Sequence, residues 1–283
     1  MRRRRIEEAV FKVLMLASIA IMLGILVVIV VMVTSKGLPA LNLAMITQTS
    51  KGGYYLGKEG GILNAIIGSL YLAIGATVLA FIISFPVALF LQREYIGKSW
   101  VAGLVRLSLD ILWGIPSIVY GAFGFIIMLF LGMRASLLGG IIALTLLEIP
   151  IMARAMDEVI RTASAEMKEA SYSLAATRLE TSVKVVARQM LPGILNAVLL
   201  AFGRGIGDAA SVLFTAGYTD RIPSSIFDPV ASLPLAVFFQ LGTPFPEVQQ
   251  RAYASAVILL LIILIISVAS RLLSKKFTKH TIK

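Results

Sequence analysis

Residues 161–192 read RTASAEMKEASYSLAATRLETSVKVVARQMLP, and this stretch decides the fold. It is about as long as a membrane-spanning helix. Yet Arg161, Glu166, Lys168, Glu169, Arg178, Glu180, Lys184 and Arg188 would each be costly in hydrocarbon. The stretch therefore runs outside the bilayer, between two apolar runs long enough to cross it. Its pattern is that of two short helices. Ser164 is placed to cap the first, with Glu166 in the first turn, where the helix dipole favours negative charge. Thr177 followed by Glu180 fits a capping box that opens the second.

The first of these helices is built mostly of small residues: eight of the fourteen positions from 163 to 176 are alanine or serine. Met167, Ala170, Ser171 and Leu174 fall together at helical spacing. A smooth face of that kind lets another surface approach closely. The same composition also suits an amphipathic loop lying on lipid head groups. The residues alone leave both readings open.

Outward from this segment the chain is apolar. Hydrophobic residues make up 58% of the 283 and charged residues only 14%, with a mean hydropathy of +0.92. A soluble domain is nearer half apolar and a quarter charged. The class is an all-α, polytopic membrane protein with six expected spans. The first is 9–33, behind the basic cluster 1–5; it is too long for a signal peptide and has no clear cleavage site, which predicts a retained helix. The others are 62–91, 107–131 (interrupted at Gly114–Ser117), 137–155, 192–218 and 253–273. Residues 34–61 form a glycine-containing loop, and 219–250 a second exposed segment. Within the latter, 229–241 is apolar but too short to cross, which predicts a surface or re-entrant helix. Three units result: 1–61, 62–273 and a basic tail, 274–283. There is no cysteine, hence no disulfide or thiolate metal site, and no metal or cofactor is expected. The one histidine, His280, falls in the tail and reads as solvated.

The formal charge of +11 follows from topology. With the N-terminus inside, nineteen of the 26 lysines and arginines fall on the cytoplasmic side, six outside, and Arg204 within the membrane. That places both termini and the 161–192 loop in the cytoplasm without recourse to nucleic acid.

Few residues in the spans carry chemistry. Phe202-Gly203-Arg204-Gly205-Ile206-Gly207-Asp208 is the most informative run. Arg204 and Asp208 are four apart, share a helix face and can pair. An intramembrane arginine is a functional candidate, and its planar fork suits an oxyanion. The alternative is a salt bridge that only ties helices together. Three adjacent glycines allow close approach of a helix or ligand. Glu148, two residues before Pro150, is expected to bond a backbone donor near a kink, with a gate or helix-pairing role as the alternative. Asp110 is expected to pair with Arg106, one turn earlier. Pro116 frees a carbonyl and should kink the third span. No Walker lysine loop, nucleophile with its base, or metal cluster is present, so ATP hydrolysis is expected on another subunit.

Two resemblances sharpen this reading. Glu169-Ala170-Ser171, then Ala175 and later Pro192-Gly193, resembles the EAA loop of ABC importer permeases. Ser171 stands where alanine is usual and Ala175 where glycine is usual. Ala175 fits if the turn begins only at residue 176 or 177, so that it avoids positive φ. The run GRGIGDAASVLFTAGY, 203–218, resembles the fifth-helix signature of phosphate importer permeases, with Asp208 in place of the usual glutamate. Residues 109–121 resemble that family's third-helix signature, and 226–234 the external segment of its A-type subunit.

The resemblance implies a type I ABC importer permease core within 62–273, with 161–192 as its coupling loop. It implies the membrane subunit of an ATP-driven phosphate importer. Its partners would be a homologous C-type permease, two ATPase copies docked through Glu169, Ala170, Ser171 and Ala175, and an external phosphate-binding protein. Arg204 would help phosphate pass and Asp208 would hold it in place. The alternatives are a permease for another oxyanion, such as molybdate or sulfate, and a non-transporting membrane scaffold or sensor.

Overall fold

The computed structural model describes residues 2–51 and 59–278; His280, the end of the basic tail, and Gly52, Gly53 and Gly57 lie outside them. The described residues are mostly helical; two short strands, Ser50–Lys51 and Glu59–Gly60, pair antiparallel in the first loop. Four helices are long and apolar enough to cross a membrane on their own: α1 (Arg2–Gly37), α3 (Leu63–Phe90), α6 (Leu137–Arg161) and α12 (Pro246–Thr278). A short α2 (Leu43–Thr47) lies in the first loop.

α1 exposes apolar side chains all round, as a lipid-facing helix does. It touches the rest at its end, where Gly37 lies against Tyr253 and Val257 of α12 and Lys36 sits 5.1 Å over the Tyr253 ring. The core is built on α3 and α6. Ala73, Ala76, Ala80 and Ala88 of α3 are fully buried, and these small residues let the two backbones come close, the usual device where lipid gives no hydrophobic drive for helix pairing. Met152, Met156 and Ile160 of α6 and Ala197 and Ala201 of α10 (Leu191–Ile206) form one cluster with Ala80 and Ala88. Both α3 and α6 run unbroken through their prolines, Pro86 and Pro150.

The third expected span is interrupted where the sequence predicts. It is α4 (Trp100–Gly114) and α5 (Ser117–Phe130), bent by 100° at Ile115–Pro116, a sharper break than a kinked helix. At about 22 and 21 Å, neither piece crosses about 30 Å of hydrocarbon alone. Pro116 cannot donate to the Leu112 carbonyl one turn back. The Tyr120 hydroxyl donates to that carbonyl instead, at 2.8 Å, which stabilises the break.

The fifth span does not run helical to Tyr218. α10 stops at Ile206, and 207–218 folds into irregular turns. Irregular backbone is tolerated in such a protein only inside protein or along a cavity. Ser211, Val212, Thr215 and Ala216 are indeed buried, and the backbone bonds of this stretch go to protein, including Ser136 N–H to Thr215 O and Val230 N–H to Ala216 O. The following segment, expected to be exposed, is so over much of its length, but 230–236 is buried. Its helix α11 is Leu233–Leu241, and the Leu233 N–H donates to Ser69 Oγ of α3 at 2.8 Å.

Between α6 and α10 the loop has the two-helix form expected of it. α7 (Ala165–Ser173) begins with Met167 N–H donating to Ser164 Oγ. α8 (Arg178–Glu180), a π-helical turn (Thr181–Val186) and α9 (Ala187–Gln189) then run on to a 76° bend before α10. The Thr177–Glu180 capping box is complete in both directions.

Candidate translocation path and coupling surface

Arg204 sits in the last turn of α10, and Asp208 lies just past the helix end. Their pair forms, Arg204 Nη1 donating to Asp208 Oδ1 at 2.9 Å. The two ends differ. The Asp208 side chain is 5% exposed and its second oxygen accepts the Ser211 N–H at 2.9 Å, whereas Arg204 is 46% exposed. Arg204 therefore spends one of five N–H donors on Asp208 and faces open space with the others.

That space is a groove of about 630 Å³ between α10 and α12, lined by Arg204, Asn196, Ser267, Ser270 and Arg271 among apolar residues. The glycines divide as their positions dictate. Gly203 meets nothing on its side-chain face, and so opens the groove beside Arg204. Gly205 faces inward, where any Cβ would overlap Oε1 of Glu148.

Glu148 is fully buried and does not bond a backbone donor, contrary to expectation. The Thr77 hydroxyl of α3 donates to its Oε2 at 2.8 Å, so it links α3, α6 and the Gly205 turn of α10. Of the two roles held open for it, helix pairing matches this geometry. Asp110 does not pair with Arg106 either. It accepts from Arg154 Nε at 2.7 Å, while Arg106 reaches across to Asp157 of α6. Asp157 is a buried acid that the sequence reading did not single out; Arg154 lies three residues away, but its shorter bonds come from residues 51 and 65 positions away. Arg106 donates to both its oxygens, at 2.7 and 3.1 Å, and Gln92 Nε2 to one, at 3.0 Å. Pro116 sits at the α4–α5 break and Pro150 inside α6.

On the coupling loop the expected face is split. Glu169 and Ala170 are exposed, but Ser171 is buried, its hydroxyl 2.9 Å from that of Thr181. Met167 packs on the core, and Leu174 lies beyond the last residue of α7. Ala175 does not avoid positive φ. It adopts φ +59°, the only non-glycine residue to do so among those described, at the point where the chain reverses into α8. The turn begins at Leu174, two residues earlier than expected, because α7 stops at Ser173. The loop also presents Leu174 at 86% exposure and, nearby, exposed Leu179, the latter outside the face that helical spacing marked.

A family model described as "binding-protein-dependent transport system inner membrane component" matches residues 84–279. The chain belongs to this family of transporter permeases. Family resemblance extends over nearly its whole length. It is 31% identical over 277 residues to the phosphate transport system permease protein PstA of Yersinia pestis, covering 98% of this chain and 92% of that one. It is 33% identical over 240 residues to PstA of Xylella fastidiosa, covering 84% and 82%. Its fold is that of a type I importer permease. A chain of the MetNI methionine ABC transporter, solved in inward-facing conformations, superposes with a TM-score of 0.64 at 19% identity, covering 76% of this chain and 95% of that one. A second solved structure, of an amino acid ABC transporter with histidines, gives 0.53 at 18% identity, covering 77% and 92%.

Proposed function

We propose that the chain is the transmembrane permease subunit of an ATP-driven importer of inorganic phosphate, with Arg204 on the path of the anion. The observation that carries the proposal is the Arg204 guanidinium, anchored at one corner by a buried Asp208 and otherwise open to the α10–α12 groove. Phosphate that enters a low-dielectric path loses hydration, and a guanidinium replaces part of it through charge-assisted, bidentate bonds. Relatives named for phosphate transport support this anion over molybdate or sulfate.

A homologous permease subunit completes the path. An external phosphate-binding protein delivers the anion. Two ATPase copies dock on the coupling loops, and the exposed Ala170, Leu174 and Leu179 supply contact area that water leaves uncovered. The lysine and arginine bias puts both termini and this loop on the cytoplasmic side. Hydrolysis belongs to the ATPase, and this chain converts its closure into a rigid-body movement of α7 against the membrane helices.

The test is a substitution series read as phosphate uptake by the assembled importer. Arg204→Lys keeps the charge and loses the fork, so it retains partial uptake; Arg204→Gln nearly abolishes it. The double change Arg204→Gln with Asp208→Asn removes the stranded charge. We expect it to assemble with its partners and still carry no phosphate. Uptake near wild type in that double variant would make Arg204 a structural tie and refute the path assignment.

A further inference from the structure

A second cleft, of about 750 Å³, opens where α3 and α6 reach the ends of their spans. It lies between the turn 91–98, the end of α6 and the start of α7. Arg93, Lys98, Arg106, Arg161 and Lys168 line it, against Glu94 and Glu158. These cations are not equally available. Arg106 is occupied by Asp157 and by the Leu91 carbonyl, to which it donates at 2.6 Å. Lys168 Nζ donates to Glu94 Oε1 at 2.8 Å. Burial pushes the Glu94 carboxyl up, but the Lys168 hydrogen bond, a backbone hydrogen bond and the charges of Lys168 and Arg93 together hold the group below its ordinary value. Arg161 has only a loose contact, 3.8 Å from Glu158. Arg93 and Lys98 are exposed and make no ion pair among the described residues.

Three underused cations thus converge on one cleft with a surplus of positive charge. Lysine and arginine in such a place suit the oxygens of a phosphate group. The depth is also marked. Trp100, 78% exposed, opens α4 two residues after Lys98, and tryptophan settles at the level of lipid head groups. A basic pocket between helices at that level is a head-group site by its physics.

We propose that this cleft binds a phosphate-bearing anion, either the head group of an anionic phospholipid or free inorganic phosphate. The Lys168 ammonium belongs both to the cleft and to α7. A bound anion competes with Glu94 for it, and so adjusts how firmly α7 is held to the turn 91–98. This site shares no lining residue with the Arg204 groove.

The experiment uses the full-length chain and its Arg93→Gln/Lys98→Gln variant, both checked for helicity by circular dichroism. Native mass spectrometry follows retention of phosphatidylglycerol against phosphatidylcholine, and a titration follows binding of inorganic phosphate. We expect the wild type to retain phosphatidylglycerol preferentially, and the double substitution to weaken that retention by about thirtyfold, from two near-surface cations. A lipid preference lost in the variant identifies the head group; phosphate binding lost in the variant, without a lipid preference, identifies the free anion. Equal retention of the two lipids with no phosphate binding overturns the proposal. So does anion binding that the variant keeps in full. Loss of the ATPase subunit from the variant, with anion binding unchanged, assigns the cleft to a protein partner and overturns it as well.

Discussion

Two arginine–aspartate pairs in this protein share their chemistry and differ in exposure. In the Arg106–Asp157 pair, the acid is fully buried, accepts two bonds from Arg106, and takes others from Gln92 and Arg154. Arg106 donates its remaining reach to the Leu91 carbonyl, and its side chain is only 18% exposed. The network joins α4 to α6 and to the end of α3, and it is closed. In the Arg204–Asp208 pair the acid is again buried, but one bond joins the partners and the arginine is half in the open. One pair spends its donors internally; the other leaves donors facing a space. Salt-bridge geometry alone does not separate the two; what remains unspent does.

The largest expected effect tests that distinction directly. Arg106→Gln leaves Asp157 buried with only Arg154 and Gln92 beside it. Removing one partner of a buried pair costs about 3 kcal/mol, which should appear as a lower unfolding temperature in detergent and less folded protein. Uptake should fall only in proportion to the folded fraction. Arg204→Gln should do the reverse, with a smaller loss of folded protein and a larger loss of uptake per folded molecule. The opposite ranking would break the comparison.

A smaller effect lies in the coupling loop. Ala175 at φ +59° occupies a conformation that costs an L-residue and not glycine. Ala175→Gly should raise stability by about 1 kcal/mol, measured as the shift in thermal unfolding. An unchanged or lowered midpoint would show that the loop gains nothing from relief at that turn. The smallest effect is at the edge of the closed network. Asp110 is about half exposed, and Arg154 keeps Glu158 at 2.6 Å if Asp110 is neutralised. Asp110→Asn should therefore cost about 0.5 kcal/mol. A loss as large as that of Arg106→Gln would mean that the network depends on its exposed rim as much as on its buried acid.

What could be read without a structure had short-range causes. Apolar length gave the membrane class, since hydrocarbon tolerates little else. Both helix starts in the coupling loop, at Ser164 and Thr177, were legible because a cap is settled within four residues. The Arg204–Asp208 pair was legible because its spacing is one helical turn, and it forms even though the helix ends between the two residues.

The misreadings share a different cause. Arg106 had two acids available, one a turn away and one on another helix, and only packing brings Asp157 to within 2.7 Å of it. Glu148 found Thr77 rather than a backbone donor for the same reason. The end of α10 at Ile206 is likewise a tertiary outcome. The run 207–218 is apolar enough to continue as a helix, but it breaks because α3, α5, α6 and the 226–236 segment supply the burial and hydrogen bonds that irregular backbone needs. Sequence by itself determined that this chain crosses a membrane, where its surface loop lies and which arginine is out of place there. Tertiary structure alone decided which charged pair is closed and which is left open, because exposure and unspent hydrogen-bond donors are properties of what packs around a residue and not of its neighbours along the chain.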